Sequence, residues 1–237
     1  TSGRPLGAAT PPATDAAPEP GTELVDRRTA TSRTTVNADG TLTTEIFSEA
    51  IHYQPDGSTA WEPIDLTFAP IATGSKVAKI DKSPTKVTVA PANDAAGFLV
   101  VELGGQQIAL RPATPATSAV APVIDGAQAD VPDIAPGLDL RVFASADGIN
   151  AFLVLDAPPA QPTFTFLVDA PTLSLSLDKA TKRLLFKNAQ SVQVGSFLTP
   201  YAVDSTPDEL TGGGRMTSTV SYSLSKIGGK PAVARAP

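Results

Sequence analysis

RTATSRTTVNADGTLTTEIFSEAIHYQPDGSTAWEPIDLTF, residues Arg28 to Phe68, carries two turn signals set among β-forming residues. Two Asp-Gly pairs, Asp39-Gly40 and Asp56-Gly57, stand between runs rich in Thr, Ile, Phe, Tyr and Trp. Glycine takes the positive φ that a tight turn demands, and an aspartate before it does so at low cost. Each pair, flanked by β-formers, therefore predicts a hairpin. In Leu42 to Phe47, period-two alternation puts Leu42, Thr44 and Ile46 on one side and Thr43, Glu45 and Phe47 on the other. Phe47 implies that the second side is partly covered.

The same signals recur along the chain. Gly104-Gly105 separates Phe98 to Leu103 from Gln106 to Arg111, and Asp147-Gly148 separates Asp139 to Ser145 from Ile149 to Asp156. A turn over Asp178 to Thr181 follows Thr172 to Leu177, where Leu173, Leu175 and Leu177 alternate with serines. Thr217 to Ser225 reads as the last long strand. No helical stripe interrupts this pattern. The fold class is all-β, a large antiparallel β-sandwich of roughly 14 to 16 strands. It forms one double-sheet domain or two stacked sandwiches. Residues 1–21, rich in Pro and Ala, read as an N-terminal extension, and 22–237 as the β-sandwich region. Pro112 to Pro122 is proline-rich, and a subdivision, if there is one, lies near 112–130. Asp39, Gly40, Asp56, Gly57, Asp147 and Gly148 set turns. Trp61, Ile64, Phe164, Phe166, Leu173 and Leu175 are expected in the core.

Composition narrows the function classes. The chain has 237 residues, 24 Asp plus Glu against 18 Lys plus Arg, and no run of like charge. A nucleic-acid footprint needs a basic stripe, so no nucleic-acid partner is expected. There is no Cys, which removes disulfides, thiolate metal sites and thiol nucleophiles together. The longest apolar runs are strand-sized, far short of a membrane-spanning helix, so no membrane insertion is expected.

Candidate chemistry is sparse. His52 is the single histidine, so any His-dependent hydrolase would have to use it, yet there is no Gly-x-Ser-x-Gly elbow. A zinc site built on His52 alone would lean on carboxylates and water. Glu45, Glu49, Glu62, Asp65 and Asp139 could supply a glycosidase pair, but one Trp and three Tyr furnish a sugar cleft poorly. Asn37 to Gly40 lacks the spaced carboxylates of a calcium loop. Gly212 to Arg215 lacks the spacing of a phosphate loop. The expectation is no catalytic residue, no metal and no cofactor, with Trp61, Tyr53 and Tyr201 as core or ligand-binding aromatics.

Several pieces of the chain resemble a known pattern. Ser32, Asp39-Gly40-Thr41, Thr44-Glu45-Ile46, Ile51-His52-Tyr53, Asp56-Gly57, Trp61 and Ile64-Asp65 are followed in matching order by Ala135 to Arg141, Ala146-Asp147-Gly148 and Pro200 to Ser205. From roughly Glu23 to Leu224 the chain resembles the start of large secreted bacterial proteins of the Rhs/YD-repeat, wall-associated kind, where a β-rich region precedes a DNRLRE-type module. It departs at Ala50, where that pattern often has Pro, and the downstream module and repeats are absent. The resemblance implies a secreted, extracellular, cell-surface-associated location and no catalytic residue in this region. On this reading the chain is a non-enzymatic structural or assembly module. Its partners are the rest of a larger parent chain, neighbouring subunits of a surface assembly, or further copies of itself. The alternative is an extracellular glycan- or protein-binding adhesion module.

Overall fold

The computed structural model describes residues 18–158, 163–207, 214–217 and 220–236. Its first hairpin is the one that Asp39-Gly40 predicts. Ser32–Val36 and Leu42–Ile46 pair antiparallel, from Ser32 opposite Ile46 to Val36 opposite Leu42. Gly40 has φ +80°, and the Asp39 carboxylate accepts the backbone N–H and hydroxyl of Thr41 at 3.0 and 2.6 Å. Those bonds hold the Asp39 carboxyl below the usual carboxylate range. The second hairpin is looser. His52–Tyr53 pairs with Glu62–Pro63, and Gly57, φ +77°, sits in the long loop between them.

Every strand pair among the described residues is antiparallel, and there is no α-helix among them. The largest sheet has eight strands in the order Ser221–Ile227, Lys230–Ala236, Phe164–Asp169, Gln106–Pro112, Leu99–Leu103, Thr85–Val89, Ala78–Ile80 and Ala69–Pro70. Two smaller sheets pack on it. One has four strands, Val123–Asp125, Gln128–Ala135, Leu138–Ser145 and Gly148–Leu155; the other has three, Ser174–Leu177, Leu184–Lys187 and Gln193–Phe197.

Alternation explains the packing. Ile80, Val87, Val89 and Leu99 of the large sheet are buried with Ala129, Val131, Leu138, Leu140 and Val142 of the four-stranded sheet. A second cluster joins Val168 and Val233 of the large sheet to Leu184 and Phe186 of the three-stranded sheet. Leu99 lies opposite Leu110, Leu110 opposite Val168, and Phe166 opposite Val233. Residues opposite one another share a face, and Val168 follows Phe166 by two positions, so both clusters lie on one face of the large sheet. The fold is an all-β sandwich, as the alternation predicts.

The strands number 21 among the described residues, more than the 14 to 16 read from the sequence. Gln128–Ala135 escapes a pattern reading because Pro132 interrupts it, yet the proline falls where the ladder slips between Val131 and Ala135. A bulge is where a strand tolerates a residue that cannot donate. Lys230–Ala236 also escapes, although Gly228 and Gly229, φ +57° and +81°, make the turn that precedes it. The Asp147-Gly148 turn is displaced by one position: Ser145 pairs with Gly148, so Ala146 and Asp147 form the bend. Trp61 and Ile64, expected in the core, are only half-buried. The Trp61 carbonyl accepts a bond from Arg28. Residues 1–17 of the expected extension, 212–213 of the glycine loop and 218–219 of the last expected strand lie outside the described residues.

Candidate functional site

The one histidine sits in a polar cluster with Glu23, Arg28 and the Thr29 carbonyl. Its first wall is a segment running beside Ser32–Val36: the Gly21 N–H donates to the Val36 carbonyl at 2.7 Å, and the Leu24 N–H to the Thr34 carbonyl at 2.8 Å. The short 3₁₀ turn Val25–Arg27 then reverses the chain. That reversal carries Arg28 back to Glu23. Arg28 donates from Nε and a terminal nitrogen to the two carboxylate oxygens at 2.8 and 2.7 Å, and its other terminal nitrogen donates to the Trp61 carbonyl at 3.1 Å. Planar two-point pairing of this kind fixes geometry as well as charge.

His52 closes the cluster from the second hairpin. Its Nδ1 is 2.9 Å from the Thr29 carbonyl oxygen. A carbonyl can only accept, so Nδ1 carries the proton. Nε2 then faces the Glu23 Oε1 at 3.6 Å. The Glu23 carboxyl is held below its ordinary range, first by the hydrogen bond from Arg28, against the opposing effect of burial, and further by the charge of Arg28. Arg28 is shifted upward by the same bond. The His52 side chain is 4% exposed and that of Arg28 13%. The cluster assembles a proton carrier, a carboxylate and a cation, but spends each of them on a neighbour. As placed, it ties three separate segments together.

A second feature lies on the far side of the same hairpin. Tyr53, Asp56, Ser83, Lys86, Glu102 and Gly104 contribute to a cleft of about 330 Å³. Lys86 Nζ bridges Asp56 at 3.2 Å and Glu102 at 3.5 Å, and the bond to Asp56 is the first cause of its raised pKa. Asp81, on the rim, is taken by Lys79 at 2.6 Å. The Ser83 hydroxyl is buried and has no hydrogen-bond partner among the described residues.

The residues singled out from the sequence scatter over the fold. Tyr53 is buried, with its hydroxyl pKa raised first by that burial and then by the charge of Glu62. Tyr201 is 40% exposed and meets Phe152 edge-on at 6.2 Å. The two tyrosines and half-buried Trp61 form no shared platform: Tyr53 lines the cleft, whereas Tyr201 stacks on the four-stranded sheet. Of the candidate carboxylates, Glu45 pairs with Arg33 at 2.5 Å, Asp65 accepts the Thr67 N–H at 3.0 Å, and Asp139 accepts the Asp133 N–H at 2.8 Å. Glu49 and Glu62 are exposed. Among the described residues no three His, Cys, Asp or Glu side chains gather as a metal site. Glu23 and Arg28 drew no notice in the sequence, since no spacing motif joins them to His52.

Comparison with known proteins gives a different kind of information. No family model matches the chain, and no solved structure matches it. The chain is similar to the tRNA3(Ser)-specific nuclease WapA of Bacillus spizizenii, 24% identical over 214 residues. It is also similar to the tRNA nuclease WapA of Bacillus subtilis, 23% identical over 214 residues, and at the same identity to the tRNA(Glu)-specific nuclease WapA of Bacillus subtilis subsp. natto. The similarity covers 86% of this chain and 9% of each relative.

These relatives correct the functional expectations. The reading as a non-enzymatic structural or assembly module is overturned by relatives that are nucleases, and the adhesion module offered as its alternative is no better supported by them. The expectations of no enzyme and of no nucleic-acid partner fall on the same finding. The physical reason is one of scope. A net charge of −6 without a basic run describes the surface of these 237 residues, and the matched region is only 9% of the relatives' length. Among the described residues no helix is long and apolar enough to cross a membrane.

Proposed function

We propose that this chain is a β-sandwich segment of a large, secreted, wall-associated nuclease of the Rhs/YD-repeat kind whose substrate is tRNA. One observation carries the reading: the similarity to three tRNA nucleases runs through 214 residues, 86% of the chain, rather than through a short motif. The secreted location rests on the resemblance of Ser32 to Asp65, Ala135 to Arg141 and Pro200 to Ser205 to wall-associated proteins. Cleavage of an RNA phosphodiester by acid–base catalysis needs two proton-transfer groups within reach of the substrate and a cation for the developing charge. Glu23, Arg28 and His52 have these chemistries, but their mutual bonds and burial leave no open face for a phosphate. Their role within the nuclease is to hold the entry segment, Arg28 to Ala30 and the second hairpin in one arrangement.

The test is direct. The whole polypeptide that carries this segment is purified and incubated with a tRNA pool. Discrete tRNA fragments are expected; an intact pool at enzyme-to-substrate ratios near unity overturns the reading. A His52→Gln polypeptide that stays folded and still cuts supports the positioning role, and loss of cleavage with the fold intact transfers the catalytic role to His52.

A further inference from the structure

The strand Leu42–Ile46 is exposed at all five positions, and among the described residues it pairs only with Ser32–Val36. Its free edge has a defined chemistry. In an antiparallel pair, residues alternate between those whose backbone groups bond to the partner and those whose groups point away. The Asn37 N–H donates to the Thr41 carbonyl and the Phe47 N–H to the Thr31 carbonyl, both at 2.8 Å. Thr41, Thr43, Glu45 and Phe47 therefore turn their backbone groups inward. Leu42, Thr44 and Ile46 turn theirs outward. Leu42 and Ile46 also expose large apolar side chains, at 43% and 81%.

We infer that this edge pairs with the same edge of a second copy of the chain, antiparallel about Thr44. Hydrogen bonding and charge select that register. Only outward-facing residues can exchange bonds across the new seam, so Leu42, Thr44 and Ile46 must meet their own kind. Centring on Thr44 puts Leu42 opposite Ile46 of the other copy on both sides, with Thr44 opposite Thr44, and uses all three outward residues. Each Glu45 then faces a Thr43 hydroxyl, and its charge is already met by its own Arg33 at 2.5 Å. Sliding by two residues one way opposes Glu45 to Glu45, a like-charge pair that destabilises a sheet. Sliding the other way leaves Ile46 against the Gly40 turn. The seam joins two hairpins into one continuous sheet and removes an unprotected edge. It is smaller than the ~1,200 Å² of a stable complex, so the pairing is weak and concentration-dependent. This inference goes beyond the nuclease reading and does not depend on it.

A chain without cysteine makes the register testable. Opposed residues of a hydrogen-bonded antiparallel pair have Cα atoms about 5.5 Å apart, within disulfide range. The 237-residue Thr44→Cys variant, oxidised at high protein concentration, is expected to form a disulfide-linked dimer. Thr43→Cys, whose symmetry mates are offset along the strands, is expected to stay at least tenfold less linked. Thr44→Pro removes an outward N–H and the 2.9 Å hydroxyl contact with Thr34 but leaves the backbone bonds to Ser32–Val36 in place. Thr44→Val removes that hydroxyl contact alone, so in sedimentation Thr44→Pro should stay at 24.3 kDa where the unmodified chain and Thr44→Val gain mass with concentration. Equal linking of the two cysteine variants, no linking of Thr44→Cys, or an unmodified chain that remains monomeric at millimolar concentration each overturns the inference. The last outcome would leave the edge for a strand of the longer polypeptide.

Discussion

The Asp139 carboxylate accepts the backbone N–H of Asp133 at 2.8 Å, across the point where the Gln128–Ala135 strand slips out of register with Leu138–Ser145. Asp133 has φ +53°, a left-handed conformation that non-glycine residues adopt at a cost. The bulge keeps Val131 and Ile134, on either side of the slip, in the same core, at 0% and 1% exposure. Asp139, a candidate catalytic acid by residue type alone, is the acceptor that keeps the bulge closed. Asp139→Ala should lower stability by about 1 kcal/mol, seen as a shift of roughly 2–4 °C in Tm; an unchanged Tm would show that the bulge needs no such bond.

Two glycines with similar backbone demands should respond very differently. At Gly97, φ +121°, a Cβ would stand 2.7 Å from the Leu110 carbonyl oxygen, whereas at Gly40, φ +80°, it would meet nothing within 4 Å. Gly40→Ala should cost about 1 kcal/mol, from conformation alone. Gly97→Ala adds a backbone clash and should cost at least twice as much by urea denaturation. Equal costs would contradict the close approach of Gly97 to the Leu110 carbonyl.

Ser83 offers a prediction of the opposite sign. Its hydroxyl is buried and unpaired among the described residues, and desolvating a polar group without a bond is unfavourable. Ser83→Ala should leave stability unchanged or raise it by about 1 kcal/mol. A loss beyond about 1 kcal/mol would mean that the hydroxyl makes a bond in solution.

The Glu23–Arg28 pair should appear in the acid limb of stability. The Glu23 carboxyl titrates below its ordinary value in the folded chain, chiefly through the hydrogen bond from Arg28. A depressed folded pKa contributes stability that is present above the unfolded value, about 4.3, and is lost as pH falls through the folded value. Tm should therefore fall less steeply below about pH 4 in Glu23→Gln than in the unmodified chain. At pH 7 the variant should lose roughly 1–2 kcal/mol, because Arg28 keeps its charge without its partner. Parallel acid limbs for the two proteins would remove the pair from the account.

Much of this fold is legible in the residues because local chemistry and tertiary structure agree there. Gly40 turns the first hairpin, and Gly104-Gly105, φ +55° and +71°, turn another. Alternation along Thr85–Val89 matches its buried, half-buried, buried pattern. The reading fails where long-range packing overrides a local signal. Pro132 looks like a strand breaker until the bulge opposite Asp139 is seen, and Pro231 precedes the stretch of its strand that pairs with Phe164–Leu167. Trp61 looks like core by residue type but is half-buried, and it is its carbonyl that Arg28 binds. The His52 cluster is invisible in sequence for another reason: Glu23, Thr29 and His52 come together only after a 3₁₀ turn and two hairpins have folded, and no spacing records that.

Mapping the ends of the fragments left when the whole polypeptide carrying this segment meets a tRNA pool tests the central claim most directly. One or a few defined cut positions are expected, confined to tRNA and absent from ribosomal RNA treated in parallel. A pool left intact, or degradation spread evenly over all RNA, would contradict it.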